Sequence, residues 1–393
     1  MSARVTTVVN GSLVLPEGIR AGWALTTRDD RIERLGESVA VEGEVVDAGG
    51  GYVLPGLVDV HLHGAYGRTF NEASTEAWRA GLAAHRARGT TTACATIATA
   101  PLDQMIEALR IGQVMLAEAS PGLAGLHLEG PYLNPAQRGA HGGAWLRQPS
   151  DGSWEALRPF LPALRILTLA PELDGASALI AALHAALVVV SAGHSAAGPE
   201  VMSRAQRDGL RHIAHLWSGQ SSLTRRGPWR EIGLLEAALS SDGLSAEIIA
   251  DGAHAPLELT RIAYRCLGPD RLCLVSDASA GTGLPRGCQF HMGSASGVVD
   301  EGVALSADGT AFCGSTSFLV DVLRFSARVA GIPLADCVRM ASTTPARILG
   351  LSHRVGSLAP GLAADLVVLD GDLGLRAVMQ GGRWVEIGGG NGV

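Results

Sequence analysis

The sequence lacks the features that mark membrane, nucleic-acid-binding and disulfide-bonded proteins. It contains no run of basic residues and carries a net charge of −7, which argues against nucleic acid or an anionic membrane as a partner. The apolar stretch at 178–190 is too short to span a bilayer. The N-terminus leads into alternating valine and threonine without a signal-peptide core. The six cysteines include no C-x-x-C pair. These absences predict a cytoplasmic protein with buried thiols.

What the sequence does contain is an alternation of apolar strands and helical stretches. Hydrophobic residues make up 47% of the chain and there are 51 glycines, a composition that suits an α/β protein with many tight turns. Eight βα units over about 290 residues are the expected size of a (β/α)8 TIM barrel. The eight candidate barrel strands are 53–58, 90–97, 123–128, 165–169, 188–192, 211–214, 247–250 and 272–275.

The two chain ends differ from this central region. Residues 1–52 consist of short strands and turns with no helical period, and residues 351–393 return to strands. We therefore predict that both ends pair into one small β-sandwich domain beside the barrel, which would occupy residues 53–350. A glycine-rich, alternating stretch near 288–310 predicts a hairpin inserted into the barrel region.

Polar residues recur at the ends of the candidate strands. The active sites of such barrels lie at the C-terminal strand ends, so these side chains are expected to face one mouth. From His63 onward the intervals are 66, 65, 21 and 62 residues, close to two, two, one and two units of about 31 residues. Imidazole and carboxylate ligands in one mouth predict a hydrolytic metal centre. The strand-end residues are His61, His63, Glu129, His194, His215 and Asp277.

Each of these residues also has a simpler interpretation. Two histidines on one strand can be a packed residue and a solvated one, and Asp277 could be the N-cap of a helix after the last strand. His127 lies two residues before Glu129 and should face the same side, deeper in the barrel, where we expect it to pack. It is the coincidence of five strand ends that favours a metal centre.

Six motifs follow one another along the chain in a characteristic order. They are PGLVDVHLHG at 55–64, GLHLEGP at 125–131, TLAPE at 168–172, VSAGHS at 190–195, IADGAH at 249–254 and LCLVSDA at 272–278. In these motifs the chain resembles, over nearly its whole length, the amidohydrolase superfamily and within it the N-acetylglucosamine-6-phosphate deacetylases. The resemblance implies a barrel with a split β-sandwich, a homodimer, and hydrolysis of an acetamido group on a small-molecule amino sugar to amine and acetate.

The resemblance also implies roles for individual residues. Glu129, His194 and His215 would hold the main metal, and His61 with His63 would hold a second ion bridged through Glu129. Zinc and iron both suit imidazole and carboxylate ligands, with one or two ions per subunit. Asp277 would move the proton of the attacking water to the amine, and His141 would polarise the carbonyl. The residues implied in substrate binding are Ala140, Ser218, Gly219, Arg226, His254, Gly314 and Ser315.

One segment departs from the family pattern. These deacetylases usually carry His-Leu-x-Asn-Ala-Met after strand six, whereas the chain has HLWSGQ at 215–220. Arg226 still matches the arginine that binds the sugar phosphate, although Arg225 beside it blurs the register. Three interpretations follow: a deacetylase of N-acetylglucosamine 6-phosphate or a close relative, an amidohydrolase of another N-acyl substrate such as an unphosphorylated amino sugar or an N-acyl amino acid, and a non-catalytic scaffold.

Overall fold

The structure, a computed structural model, describes residues 3–387. Its N-terminal part consists of short strands joined by tight turns. Asn10 has a positive φ of 54° in the turn between the first two strands, as expected of an Asn-Gly pair. The seven strands of this part are β1 (Val5–Val9), β2 (Ser12–Leu15), β3 (Gly18–Ala21), β4 (Ala24–Arg28), β5 (Arg31–Gly36), β6 (Glu44–Asp47) and β7 (Tyr52–Pro55).

The central part forms a parallel barrel. Its strands and the short strands between them are β8 (Leu57–Leu62), β9 (Gly64–Ala65), β10 (Arg68–Thr69), β11 (Thr90–Ala98), β12 (Leu123–Glu129), β13 (Leu164–Leu169), β14 (Val189–Ala192), β15 (His212–Ile213), β16 (Thr224–Arg226), β17 (Trp229–Glu231), β18 (Ser245–Ile248) and β19 (Leu272–Leu274). All except β9, β10, β16 and β17 belong to one eight-stranded parallel sheet in chain order. The N–H of Asp277 donates to His61 O at 2.9 Å and that of His63 to Ala278 O at 2.8 Å. These bonds join the last strand end to the first, which confirms the predicted barrel.

Helices follow most barrel strands and cover the outside of the barrel. The first begins after Ser74, whose side chain accepts the N–H of Ala77, and it buries Trp78 and Leu82 toward the core. The helices are α1 (Thr75–Arg86), α2 (Leu102–Ala117), α3 (Trp154–Leu157), α4 (Ala176–Ala185), α5 (Pro199–Asp208), α6 (Leu234–Leu239), α7 (Leu257–Leu267), α8 (Leu319–Arg328), α9 (Leu334–Val338) and α10 (Thr344–Ile348). In residues 3–387 no helix combines the length and the apolar character needed to cross a bilayer.

An antiparallel sheet is inserted between β19 and α8 and lies across the barrel mouth. Its four strands are β20 (Gln289–Met292), β21 (Ala295–Asp300), β22 (Val303–Ser306) and β23 (Phe312–Ser315). The predicted hairpin near 288–310 is therefore part of a larger inserted sheet. Ser294 in its first turn donates its N–H to Thr99 O at 3.0 Å, and Ser315 at its end donates to Asp277 O at 2.7 Å. These contacts attach the inserted sheet to the ends of β11 and β19.

Both chain ends meet in two stacked sheets beside the barrel. The C-terminal strands are β24 (Leu366–Leu369), β25 (Leu375–Gln380) and β26 (Arg383–Val385). One sheet has the order β5-β4-β1-β6 and the other β26-β25-β24-β7-β2-β3. Val8 and Leu25 of the first sheet are buried in one cluster with Leu13, Leu366 and Met379 of the second, as in face-to-face sheet packing.

The strand predicted over 53–58 is in fact two strands with different partners. β7 pairs with β2 and β24 in the stacked sheets, whereas β8 pairs with β11 in the barrel. Gly56 stands between them, and a Cβ added there would lie 2.0 Å from Thr91 Oγ1. Only glycine allows the chain to pass this closely from one sheet into the other. The barrel strand β8 ends at Leu62, later than the predicted end at residue 58, so His61 lies inside the strand and His63 directly follows it.

Candidate metal centre and substrate cavity

The strand ends converge on the carboxylate of Glu129, at the end of β12. Both of its oxygens face histidine Nε2 atoms contributed by other strands and by one loop. The Oε1 distances are 2.9 Å to His215, 3.2 Å to His194 and 3.5 Å to His61, and the Oε2 distances are 3.3 Å to His141 and 3.4 Å to His63. The structure thus brings all five residues predicted as metal ligands together and adds His141.

Asp277 completes the cluster from the end of β19. Its Oδ1 lies 3.2 Å from His63 Nε2 and 3.6 Å from His61 Nε2, and its side chain is 10% exposed. No helix in residues 3–387 begins at this position, since the next one, α8, starts at Leu319. The N-cap interpretation of Asp277 is therefore wrong.

Three side chains of the site sit on left-handed backbone. The φ angles are 48° at His194, 70° at Trp217 and 47° at Asp277. Such conformations cost of order 1–3 kcal/mol for a non-glycine residue and persist only where the surroundings enforce them. At Asp277 both the N–H and the carbonyl are hydrogen-bonded, to His61 and Ser315. The backbone therefore aims these side chains at a stability cost, which is typical of functional sites.

The hydrogen-bonding pattern of the histidines fits a divalent metal. His61 Nδ1 donates to Glu247 Oε2 at 2.8 Å, and His194 Nδ1 donates to Gln137 O at 2.9 Å. Nε2 is therefore the nitrogen that both rings can offer to an ion beside Glu129, and His61 Nε2 is buried without a hydrogen-bond partner. Two of the three groups suited to an ion in residues 3–387 contain Glu129, namely His61–His63–Glu129 and Glu129–His141–His194, and the third is His61–His127–Glu247. This donor set of imidazoles and a carboxylate suits zinc or iron.

His127 takes no part in this arrangement. Its Nδ1 lies 3.0 Å from Val60 O and its Nε2 2.8 Å from Thr168 Oγ1. Both ring nitrogens are thus satisfied inside the barrel, and burial lowers the pKa of His127 to about 3, so the ring is neutral. The predicted packing role is confirmed.

Neighbouring histidines lower the pKa values of both carboxyl groups of the cluster, Glu129 and Asp277. Burial alone would raise the pKa of Glu129, but His61 and His141 outweigh it and hold this pKa well below its usual range. Burial would likewise raise the pKa of Asp277, yet its hydrogen bond with His63 and the charge of His61 keep that pKa below its ordinary value. Both carboxyl groups are therefore ionised. Asp277 in this state is able to accept a proton.

A cavity of about 260 Å³ opens above the cluster. Its lining contains Ala140, Ser218, Gly219, His254 and Gly314 from the predicted substrate-binding set. His254 donates from Nδ1 to Asp251 Oδ2 at 2.7 Å, while its Nε2 has no hydrogen-bond partner. That nitrogen is available to a ligand.

The cavity also contains apolar residues that the sequence analysis missed. Trp217 and Met292 line it, and the ring of Phe312 lies 4.3 Å from that of His254. Phe312 and Met292 come from the inserted sheet. The glycine-rich alternation predicted this sheet but not its position over the mouth, so no local signal marked these two residues as part of the site.

Two of the predicted substrate-binding residues, Arg226 and Ser315, do not line the cavity. Arg226 is on β16 with its side chain 83% exposed, and its only ion pair in residues 3–387 is with Glu231 at 3.0 Å. Within the same described range, the cavity lining includes no arginine. Ser315 is buried beneath Asp277, where its Oγ donates to Ser276 O at 2.5 Å. Ser315 therefore supports Asp277 and does not face the cavity.

The departing segment at 215–220 forms a tight turn beside His194. Gly219 has a φ of 66°, and a Cβ there would lie 2.6 Å from His194 Nδ1. Gln220 accepts the N–H of Trp217 at 2.9 Å and donates to Ala214 O at 2.5 Å. The turn therefore requires both residues: Gly219 leaves room for the His194 ring, and Gln220 supplies the hydrogen bonds inside the turn.

Two further carboxylates support the metal centre from behind. Glu247, on β18, accepts hydrogen bonds from His61 and from the N–H of His215, and Glu172 accepts from Ser195 Oγ at 2.6 Å, next to His194. Glu247 is fully buried. The available sequence signal was a glutamate at the start of an otherwise apolar candidate strand, which is unusual because buried charges require partners.

Known proteins resemble this chain in sequence over most of its length. The profile of the Amidohydrolase family matches residues 52–386. N-acetylglucosamine-6-phosphate deacetylase of Bos taurus is 35% identical over 364 residues, which cover 89% of this chain and 87% of the relative. N-acetylgalactosamine-6-phosphate deacetylase of Shewanella sp. (strain ANA-3) is 34% identical over 340 residues, covering 85% and 83% respectively.

Solved structures of similar proteins have nearly the same fold as this chain. A mutant N-acetyl-D-glucosamine-6-phosphate deacetylase from Mycobacterium smegmatis, solved in complex with N-acetyl-D-glucosamine-6-phosphate, has a TM-score of 0.89 and 33% identity, and the match covers 98% of this chain and 100% of that chain. N-acetylglucosamine-6-phosphate deacetylase from Pasteurella multocida has a TM-score of 0.90 and 27% identity, covering 97% and 99%.

Proposed function

The chain belongs to the amidohydrolase family, and from this premise we propose that it is a metal-dependent deacetylase of N-acetylglucosamine 6-phosphate or a closely related N-acetyl amino sugar. The observation that carries the proposal is the convergence of five histidine Nε2 atoms and Asp277 around Glu129. The relatives named above, which share about a third of their residues with this chain, are deacetylases of amino-sugar phosphates. Their substrate class supports the choice of substrate.

We propose that Glu129, His194 and His215 would hold a main ion, and that His61 and His63 would hold a second ion beside the same Glu129. A divalent zinc or iron ion held there supplies a Lewis acid that lowers the pKa of water and polarises an amide carbonyl. Clustering these ionisable groups away from water is costly unless a cation pairs with them. That cost also argues against a non-catalytic scaffold.

Asp277 is the proposed catalytic acid and base. It is ionised, and it reaches into the mouth between His61 and His63. It accepts the proton of the attacking water and then delivers it to the amide nitrogen, which needs a proton to leave as an amine. His141 faces the same cavity and donates to the carbonyl oxygen as charge develops there. His254 Nε2 hydrogen-bonds the substrate and helps to orient it.

The experiment that tests this proposal is a measurement of acetate release on protein of known metal content. N-acetylglucosamine 6-phosphate, its 4-epimer N-acetylgalactosamine 6-phosphate and unphosphorylated N-acetylglucosamine are compared, with the Asp277→Asn variant as the control for contaminating enzymes. Metal-dependent release that is most efficient with a 6-phosphate supports the proposal. A purified protein that binds no metal contradicts it and favours the scaffold.

A second candidate is an amidohydrolase of another N-acyl substrate, either an unphosphorylated amino sugar or an N-acyl amino acid. The observation that favours it is the cavity lining, which in residues 3–387 includes no arginine and carries Ser218 and Gly219 in place of the family's Asn-Ala pair. Equal efficiency with and without the 6-phosphate would favour this candidate.

We also propose a homodimer, in which Arg226 contacts the phosphate of a substrate bound by the other subunit. Arg226 is exposed on β16 and does not line the cavity of its own chain. The hairpin of β16 and β17 exposes Trp229 to 73%, and Leu223 and Ile232 beside it are also exposed. An apolar surface of this kind is typical of a protein interface. Sedimentation analysis measures the oligomeric state.

A cytoplasmic location is the last part of the proposal. All six cysteines are free thiols, four of them buried, and a reducing compartment maintains cysteines in this form. Fractionation of the producing cells tests the location.

A further inference from the structure

Glu247 is a buried carboxylate directly behind the metal centre. It lies on β18 with no solvent exposure and does not line the cavity. Its Oε2 accepts a hydrogen bond from His61 Nδ1 at 2.8 Å and another from the backbone N–H of His215 at 3.1 Å. A single oxygen atom therefore contacts one residue from each of the two proposed ion positions.

The contact with His61 determines which ring nitrogen faces the cavity. Since Glu247 is an acceptor, Nδ1 must carry a proton, which leaves Nε2 as the ring nitrogen that can present a lone pair to an ion. The atoms nearest to His61 Nε2 are Glu129 Oε1 at 3.5 Å and Asp277 Oδ1 at 3.6 Å. These too are acceptors, so His61 Nε2 can be joined to them by a proton of its own or by a cation that replaces that proton. A cation suits this set of atoms, because imidazole and carboxylate are common ligands of divalent ions.

The other carboxylate oxygen of Glu247, Oε1, is also hydrogen-bonded. His212 Nε2 lies 3.1 Å from Oε1, and His212 Nδ1 lies 2.7 Å from Ser245 Oγ. The carboxylate is therefore clamped from two sides and cannot rotate away from His61. Burying a carboxylate is costly unless it is paired and hydrogen-bonded, so the buried position of Glu247 depends on these partners.

We propose that Glu247 is a positioning residue that holds His61 as a ligand of the second ion. It does so by fixing the tautomer and orientation of the ring and by making Nε2 a stronger donor through its negative charge. The inference rests on the proposed function, because it requires that the centre binds metal. It adds that the occupancy of the second position depends on a residue that touches neither the ions nor the substrate.

The test is a metal titration of the Glu247→Gln variant beside the wild-type protein. The amide oxygen can still accept one hydrogen bond, but the charge is lost. We expect one of two bound equivalents to bind about 10–100-fold more weakly, with the other unchanged. The His61→Asn/His63→Asn double variant identifies which equivalent is affected, because it should lack that same ion and keep the one held by Glu129, His194 and His215.

The matched control is His212→Gln, which touches Oε1 of Glu247 but none of the proposed ligands. A glutamine amide can replace the donated hydrogen bond, so both equivalents should bind with wild-type affinity. If Glu247→Gln does not give a folded protein by circular dichroism, Glu247→Asp is titrated, which keeps the charge but withdraws it from His61. Weaker binding of the second equivalent to Glu247→Asp supports the proposal.

The outcomes separate this inference from the proposed function. Two equivalents bound at wild-type affinity by a folded Glu247 variant contradict the inference and leave the metal centre intact. A wild-type protein that binds a single ion, which the double histidine variant retains, likewise contradicts the inference alone. A wild-type protein that binds no ion contradicts the proposed function itself.

Discussion

The two halves of the cavity are built in different ways. The metal half consists of side chains at strand ends, where Glu129, His61 and His215 are almost wholly buried and each is hydrogen-bonded to a residue of another strand. The substrate half consists of loops and the inserted sheet, where Phe312 is exposed and Ser218 is partly exposed. A rigid barrel thus holds the chemistry, while the segments that select the substrate can change without disturbing it. The Ser218–Gly219 turn departs from the family pattern at the point where the two halves meet, beside His194.

The largest effect on activity is expected when the metal half is altered at Asp277. The Asp277→Asn variant keeps the shape of the side chain but cannot accept the proton of water, so kcat should fall by about 10²–10⁴-fold. The metal content, measured by elemental analysis, should stay unchanged, since the ligand histidines are intact. Asp372→Asn is the control because that side chain is fully exposed. Substantial turnover by Asp277→Asn would remove Asp277 from the mechanism.

A smaller effect is expected where the two halves touch, at Gly219. Gly219→Ala places a Cβ in left-handed backbone and against His194, which should lower the free energy of unfolding by about 1–3 kcal/mol and also lower metal affinity and kcat. Gly227→Ala is the matched control, since it has a similar φ of 61° with no atom within 4 Å of the added Cβ. Urea unfolding and metal titration should show the strain in both variants and the loss of metal affinity in Gly219→Ala alone. Equal metal affinity in the two would mean that the turn does not constrain His194.

The smallest effect on stability is expected outside the cavity, at Arg226 on β16. Arg226→Ala changes an exposed side chain, so the free energy of unfolding should change by less than about 0.5 kcal/mol. The ratio of kcat/KM for N-acetylglucosamine 6-phosphate to that for N-acetylglucosamine should fall, because a charge-assisted contact with the phosphate is lost. Arg225→Ala, on the neighbouring position of β16, is the control for register. A larger loss of the ratio in Arg225→Ala would move the phosphate role to that residue.

Much of the metal half was predictable from sequence, and little of the substrate half. Glu129, His194 and His215 could be placed because parallel strands of a barrel end on one face and recur at a regular interval. Phe312 could not be placed, since it belongs to an inserted sheet whose position over the mouth depends on contacts such as Ser294 with Thr99. The strand predicted over 53–58 was wrong in one respect, because apolar alternation does not reveal a change of sheet at Gly56.

The sequence by itself determined the kinds of polar side chain at the candidate site, their order along the chain and the strand ends on which they lie, because strand periodicity and the βα repeat are local properties of the chain. Only the tertiary structure decided which atoms meet. His61 and Glu247 are 186 residues apart, and their contact exists because the barrel closes and buries both. In the same way the position of β16 leaves Arg226 in solvent, away from its own cavity. Long-range contacts of this kind depend on how the sheets pack together, which residue spacing does not encode.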